Sequence, residues 1–185
     1  MNFEQKSERT TTRRRVIAGL TLGAGAAAVA AVAARKGPAQ EISRTAESIH
    51  QEVPFEAPPE RVYAALIDEK QFQQVVLLSG AVQSGMVKAT QPAQISAQVG
   101  GAFSIFGGFV TGRQIELVPN VRIVQAWRPG DWPAGVYSIA RFELARKGSG
   151  TLLVFEHTGF PSGAADHLAQ GWKLNYWQPL AKVLA

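Results

Sequence analysis

Residues 164–185, AADHLAQGWKLNYWQPLAKVLA, predict a long C-terminal helix. Apolar side chains recur in this stretch at helical spacing, at Leu168, Trp172, Tyr176, Leu180 and Val183. That period places them on one face of the helix, and such a face must cover an apolar surface. We expect Pro179 to bend the helix near its end, because proline has no backbone N–H to donate.

The surface to be covered is predicted from residues 94–158, which have the composition of short β-strands. The runs rich in β-branched and aromatic residues are 94–99, 102–105, 109–117, 122–127, 137–144 and 151–158. Turn signals such as Pro119-Asn120 and Pro129-Gly130 separate them, and their spacing favours an antiparallel meander. We expect the glycine pairs at 100–101 and 107–108 to form bulges that curl the sheet.

The residues before this sheet predict one strand and two short helices. Residues 49–55 alternate between apolar and polar side chains, and Pro59 then suits the first position of a helix. A second short helix is predicted for residues 69–78. The fold class is therefore α+β: a curved antiparallel sheet wrapped around the C-terminal helix.

The first 39 residues are predicted to be a twin-arginine signal peptide. Thr12-Arg13-Arg14-Arg15-Val16-Ile17 resembles the twin-arginine pattern, and residues 16–34 carry no charge. Small residues at 31–33 and at 37–39 suit cleavage, and the second site leaves a chain beginning near Gln40. We expect the twin-arginine translocon to export the protein to the periplasm or the exterior. The alternative is an uncleaved leader anchored in the inner membrane, since about 20 apolar residues can span a bilayer.

This leader precedes a polar lead-in at residues 40–48 and a single domain at residues 49–185. The leader also carries the charge excess, because seven of the 19 lysines and arginines, but two of the 14 acidic residues, precede residue 40. The remaining chain has 12 of each and is neutral, which argues against a nucleic-acid partner. It has no cysteine, and His50, His157 and His167 lack metal-binding spacing, so we expect neither metal nor cofactor.

Aromatic side chains of the β-run and the last helix are the candidate binding residues. Large rings with few polar groups among them are typical of a small-molecule cavity. Together with the one histidine of their strand, the residues expected to line this cavity are Phe103, Phe106, Trp132, Tyr137, Phe155, His157, Trp172 and Tyr176.

His157 is the one candidate for acid or base chemistry, because it alternates with Leu153 and Phe155 on one strand face. Packing in the core or at its rim is the more economical interpretation. Glu156 falls on the opposite face, so the two do not form a catalytic pair. Arg141 and Glu143 are expected on a solvated face.

Residues 54–184 resemble the activator of heat-shock-protein-90 ATPase C-terminal-like domains of the START-like (SRPBCC) superfamily. The segments that carry the resemblance are 57–63, 100–108, Gly112, 116–120, 123–128, 131–133, 150–151, 157–161, 171–172 and 176–180. The resemblance implies the helix-grip fold, and superfamily members include lipid carriers, enzymes and co-chaperones. The co-chaperones of this family carry a separate N-terminal domain that engages the chaperone. A leader stands in its place here, so ATPase activation is not expected.

The sequence thus predicts an exported, non-catalytic domain that binds a small apolar or amphipathic ligand between sheet and helix. Two alternatives remain open: an enzyme that uses His157 as a pocket acid or base, and a co-chaperone-like module that binds an envelope protein.

Overall fold

The computed structural model describes residues 47–185 of the chain. The predicted leader and most of the lead-in lie outside the described residues. The elements in chain order are β1 (Ser48–Phe55), α1 (Pro59–Ile67), α2 (Glu69–Leu77), α3 (Gly80–Gln83), β2 (Gln94–Ile95), β3 (Ala102–Ile105), β4 (Val110–Val118), β5 (Arg122–Pro129), β6 (Ser138–Lys147), β7 (Gly150–Thr158), α4 (Ala165–Trp172), a π-helical segment (Lys173–Trp177) and α5 (Gln178–Leu184).

The strands form one antiparallel sheet in the order β1-β7-β6-β5-β4-β3-β2. The meander from β2 to β7 follows the predicted pattern, and β1 pairs with β7, so the first strand borders the last. The predicted strand at residues 94–99 shortens to Gln94–Ile95, which pairs only with Ser104 and Phe103 of β3. This element is therefore a short strap at the sheet edge.

The sheet has no bulge at residues 107–108, where a glycine pair led us to expect one. Gly107 and Gly108, with φ of 65° and 90°, form the β3–β4 turn instead. The register shift lies in β4, between Gln114 and Glu116. Gly112 is needed there for close approach, because a Cβ at this position would lie 2.0 Å from the carbonyl oxygen of Ala126.

The short helices begin as their sequences require. Pro59 occupies the start of α1, where its missing N–H leaves no bond unmade. Asp68 separates α1 from α2 and caps α2, since its carboxylate accepts a hydrogen bond from the Gln71 N–H at 2.9 Å. Helix α3 was not predicted; Ser79 caps it.

The C-terminal helix is interrupted one turn before the predicted position. Lys173–Trp177 is π-helical, and the Gln178 N–H bonds to the Lys173 carbonyl. Pro179 explains the location, because in a regular helix its ring would clash with the carbonyl of Asn175. The wider turn also allows two successive rings, Tyr176 and Trp177, to be buried together.

Candidate functional site

The concave face of the sheet presents one layer of the candidate site. Alternate residues of each strand point toward the helices, so β5 contributes Ile123 and Trp127, β6 contributes Phe142 and β7 contributes Phe155. All four side chains are buried. The strands therefore offer a continuous apolar floor.

The C-terminal helix provides the opposing layer, and its rings pack directly on that floor. The centroid of Trp172 lies 4.4 Å from that of Phe155 and 4.1 Å from that of Tyr176. Trp172 also stacks on Trp177, with ring planes 19° apart. Phe106 closes the side of the layer, 5.4 Å from Tyr176. These rings are therefore in direct contact with one another.

The space left between the two layers is very small. The cavity between the layers has a volume of about 10 Å³ and is partly open to the outside. The residues around it are Leu66, Phe72, Ile95, Phe103, Ile105, Ile123, Gln125, Phe142 and Tyr176. A single water molecule needs about 10–15 Å³. The expected ligand-sized cavity is therefore not open in this structure, because the rings interlock and fill the hollow of the sheet.

His157 is buried at the edge of this aromatic layer with both ring nitrogens engaged. Its Nδ1 accepts a hydrogen bond from the Trp172 indole N–H at 3.0 Å. An indole nitrogen can only donate, so the proton of the neutral ring is on Nε2, which lies 2.7 Å from Ser138 Oγ. Ser138 Oγ in turn donates to the Trp127 carbonyl at 3.0 Å.

This network gives His157 a packing role. Burial lowers the pKa of its imidazole from 6.5 to about 4, so the ring is neutral at physiological pH. The single lone pair of the neutral ring is held by Trp172, which leaves none to accept a proton from a substrate. The burial and the two hydrogen bonds of His157 fit its interpretation as a core histidine.

A buried glutamine pair is a second polar feature near the aromatic layer. Gln125 Nε2 donates to Gln114 Oε1 at 3.2 Å, and Gln125 borders the small cavity. Gln114 is fully buried, and its Nε2 has no partner among residues 47–185. This pair was not predicted from the sequence, although Gln125 lies on the same face of β5 as Ile123 and Trp127.

The outer face of the sheet carries mutually paired charges. Arg122 bonds Glu116 at 2.7 Å, and Arg141 bonds both Glu143 and Glu156. The hydrogen bond from Arg122 lowers the pKa of Glu116, and that from Arg141 lowers the pKa of Glu143. Glu156 does point away from His157, as predicted, and this face is solvated.

Two further properties concern the part of the chain that the structure describes. Residues 47–185 contain no group of three or more His, Asp or Glu side chains placed to hold a metal ion. In that same range, no helix has both the length and the apolar character needed to cross a membrane.

A family model described as "Activator of Hsp90 ATPase homolog 1-like protein" matches residues 56–185. The chain belongs to this family. Members of the activator of Hsp90 ATPase family are also found among curated relatives. The human activator of 90 kDa heat shock protein ATPase homolog 1 is 33% identical over 92 residues, which is 50% of this chain and 27% of that protein. An uncharacterised Schizosaccharomyces pombe protein is 31% identical over 129 residues, 70% of this chain and 34% of its own length. The chain spans about a third of the length of these relatives.

Several solved structures share the fold of this chain. An HSP90 activator from Plasmodium falciparum superposes with a TM-score of 0.64 at 24% identity and covers 74% of this chain and 95% of that one. CalU16 from Micromonospora echinospora gives 0.59 at 21% identity, over 76% and 77% of the two chains. The Aha1 dimer of Colwellia psychrerythraea gives 0.58 at 18% identity, over 75% and 96%. The helix-grip architecture predicted from the sequence is thus confirmed.

Within this family fold, the predicted ligand residues fall into two groups. Those buried in the interlocked layer are Phe103, Phe106, Phe155, His157, Trp172 and Tyr176. Trp132 is half-buried and packs edge-on against Trp127 from the β5–β6 loop. Tyr137 is 48% exposed, so it lies outside the interior. It differs because it precedes the first residue of β6, where the inward alternation begins at Ser138.

Proposed function

We propose that this protein is a protein-binding domain of the co-chaperone type, acting through its surface rather than by carrying a ligand. The observation that carries the proposal is the filled interior. A drug-sized ligand needs roughly 300 Å³, against about 10 Å³ here. At about 24 cal/mol per Å³, opening such a space costs on the order of 7 kcal/mol before any ligand contact is made.

The family supports a protein partner. Several relatives are named as activators of the 90 kDa heat shock protein ATPase, which is itself a protein. For this chain we propose a partner in the compartment to which residues 1–39 direct it, without activation of that ATPase. Export by the twin-arginine route belongs to the same proposal, because it decides which partners the domain can meet.

Crosslinking in intact cells tests this function. Formaldehyde treatment followed by denaturing purification of the tagged full chain is expected to yield a discrete protein partner. Export-blocked chain, with Arg13 and Arg14 both replaced by lysine, serves as the control and should lose that partner. If no discrete partner appears, or if the same one appears without export, this proposal is wrong.

Carriage of an apolar ligand is the second candidate function, and the glutamine pair favours it. Gln114 Nε2 is a buried donor without a partner among residues 47–185, and Gln125 links it to the edge of the cavity. A ligand with an acceptor oxygen could satisfy it if the two-residue strap β2, which contributes Ile95 to the cavity wall, moved aside. This candidate is supported if a lipid extract raises the melting temperature of the wild type but not that of Gln114→Leu. It is refuted if the extract changes the melting temperatures of both proteins equally or of neither.

A further inference from the structure

Three leucines are exposed where α2, α3 and the π-helical segment meet. Leu77, Leu78 and Leu174, the leucine patch, are 41%, 40% and 38% exposed. The Cβ of Leu174 lies 3.5 Å from the position that a Cβ would take on Gly80, two residues after Leu78. The patch therefore joins two elements that are distant in sequence.

The π-helical segment fixes the position of Leu174. Its wider turn directs Tyr176 and Trp177 inward together and leaves Leu174 on the outside. The side-chain oxygen of Asn175 accepts a hydrogen bond from the Ala81 N–H at 2.8 Å, which ties α3 to the C-terminal helix. The surface is thus held by packing and by a hydrogen bond, and π-helical turns are frequent at functional sites.

Three lysines lie on the helices that carry the leucine patch. Lys70 lies two turns before Leu77 on α2, Lys173 precedes Leu174 in sequence, and Lys182 lies two turns beyond Leu174. Within residues 47–185 none of these lysines has a carboxylate within 4.0 Å, in contrast to the paired arginines of the outer sheet face. The π-helical segment and α5 contain no acidic residue.

We propose that the leucine patch and its lysines bind an acidic amphipathic segment of the partner protein, an inference that rests on the protein-binding function proposed above. Apolar side chains spaced three or four residues apart would cover the leucines, as in helix-in-groove recognition, while carboxylates on the same segment meet the lysines. An anionic membrane suits this surface less well, because it has no tryptophan or tyrosine among its exposed residues and only three cations.

Site-specific photocrosslinking in cells that express the full chain tests the surface. A photoreactive amino acid replaces Leu78 or Leu174, and in the controls it replaces Ile115 or Ile139, which are exposed on the sheet to a similar extent. Crosslinks are expected from positions 78 and 174 only. Mass spectrometry of the crosslinked peptide should identify a partner segment rich in Asp and Glu with apolar residues at helical spacing.

Charge reversal tests the contribution of the lysines, with a distant lysine as the matched control. Lys173→Glu should lower the yield from position 78 by about twofold to fivefold, the range of a single exposed ion pair. Lys147→Glu, at the exposed end of β6, should leave it unchanged.

The outcomes separate this inference from the function on which it rests. Crosslinks from positions 115 and 139 alone would support protein binding but overturn the leucine patch as its site. Crosslinks to a basic partner segment would have the same consequence. Binding of the purified chain to anionic phospholipid vesicles that Lys173→Glu abolishes replaces the protein partner with a membrane. No crosslink from any of the four positions overturns the leucine patch as the binding site, and the formaldehyde experiment then decides whether the domain binds a protein at all.

Discussion

His157 should make the stability of the domain fall steeply in mild acid. Its pKa is about 4 in the folded protein and 6.5 when the chain is unfolded. Between these values the unfolded chain binds a proton that the folded protein excludes, so the unfolding free energy decreases as pH falls. Each pKa unit is worth about 1.4 kcal/mol, and the whole change is about 3 kcal/mol. The contribution is fully present above pH 6.5 and is lost by pH 4.

The assay is urea unfolding followed by tryptophan fluorescence, at pH 7.5, 6.5, 5.5 and 4.5, for wild type and His157→Gln. Glutamine can retain one donor and one acceptor but cannot titrate, so the variant is less stable at pH 7.5 and approaches the wild type in acid. Carboxylates contribute equally to both proteins and cancel in the difference. His50→Gln, at an exposed position of β1, is the matched control and should keep the wild-type profile.

A constant difference in unfolding free energy between wild type and His157→Gln across this pH range would show that His157 does not cause the loss of stability in acid. An imidazole nitrogen spectrum that places the proton of His157 on Nδ1 would contradict its hydrogen bond with Trp172, since Trp172 then could not donate to it.

Three further predictions concern packing and export. Gly112→Ala should destabilise the domain by more than about 2 kcal/mol, because the new Cβ would lie 2.0 Å from a carbonyl oxygen. Gly171→Ala in α4 is the control and should be neutral or stabilise by up to about 1 kcal/mol. Chemical denaturation measures both free energies of unfolding, and equal effects would contradict the close approach at Gly112. Trp172→Ala should cost about 3–5 kcal/mol, and a loss below about 1 kcal/mol in the same assay would show that the interlocked layer is loosely packed. Replacing Arg13 and Arg14 by lysine should abolish export, as cell fractionation would reveal; unchanged export would eliminate the twin-arginine route.

The fold could be predicted from the sequence because its signals are periodic. Alternation along residues 151–158 and the helical spacing from Leu168 to Val183 identify which faces are apolar, and two apolar faces must pack together. The boundaries of most strands follow from their turn residues for the same reason. Gly107 and Gly108 show the limit, since paired glycines suit a turn as well as a bulge and the sequence does not distinguish them.

Whether the interior contains a cavity could not be predicted, because this depends on the distance between helix and sheet. The periodicity of apolar residues in the sequence does not determine that distance. Six of the predicted residues do come together, yet whether Trp172 and Phe155 enclose a cavity or touch is decided by how closely the helix approaches the sheet. The π-helical turn is the clearest example: it brings Trp177 inward, where its indole N–H donates to Gln51 at 2.5 Å, although residue 177 lies off the predicted stripe. The same turn exposes Leu174, which no pattern marked.

The protein's own side chains occupy the space between the sheet and the C-terminal helix. Native mass spectrometry of the full-length protein, purified without detergent from its own cells, measures whether anything else is bound there. The expected mass is that of the polypeptide alone, before and after incubation with lipid extract. An added mass of one lipid per chain, present in a different amount on Trp172→Ala, would contradict a filled interior.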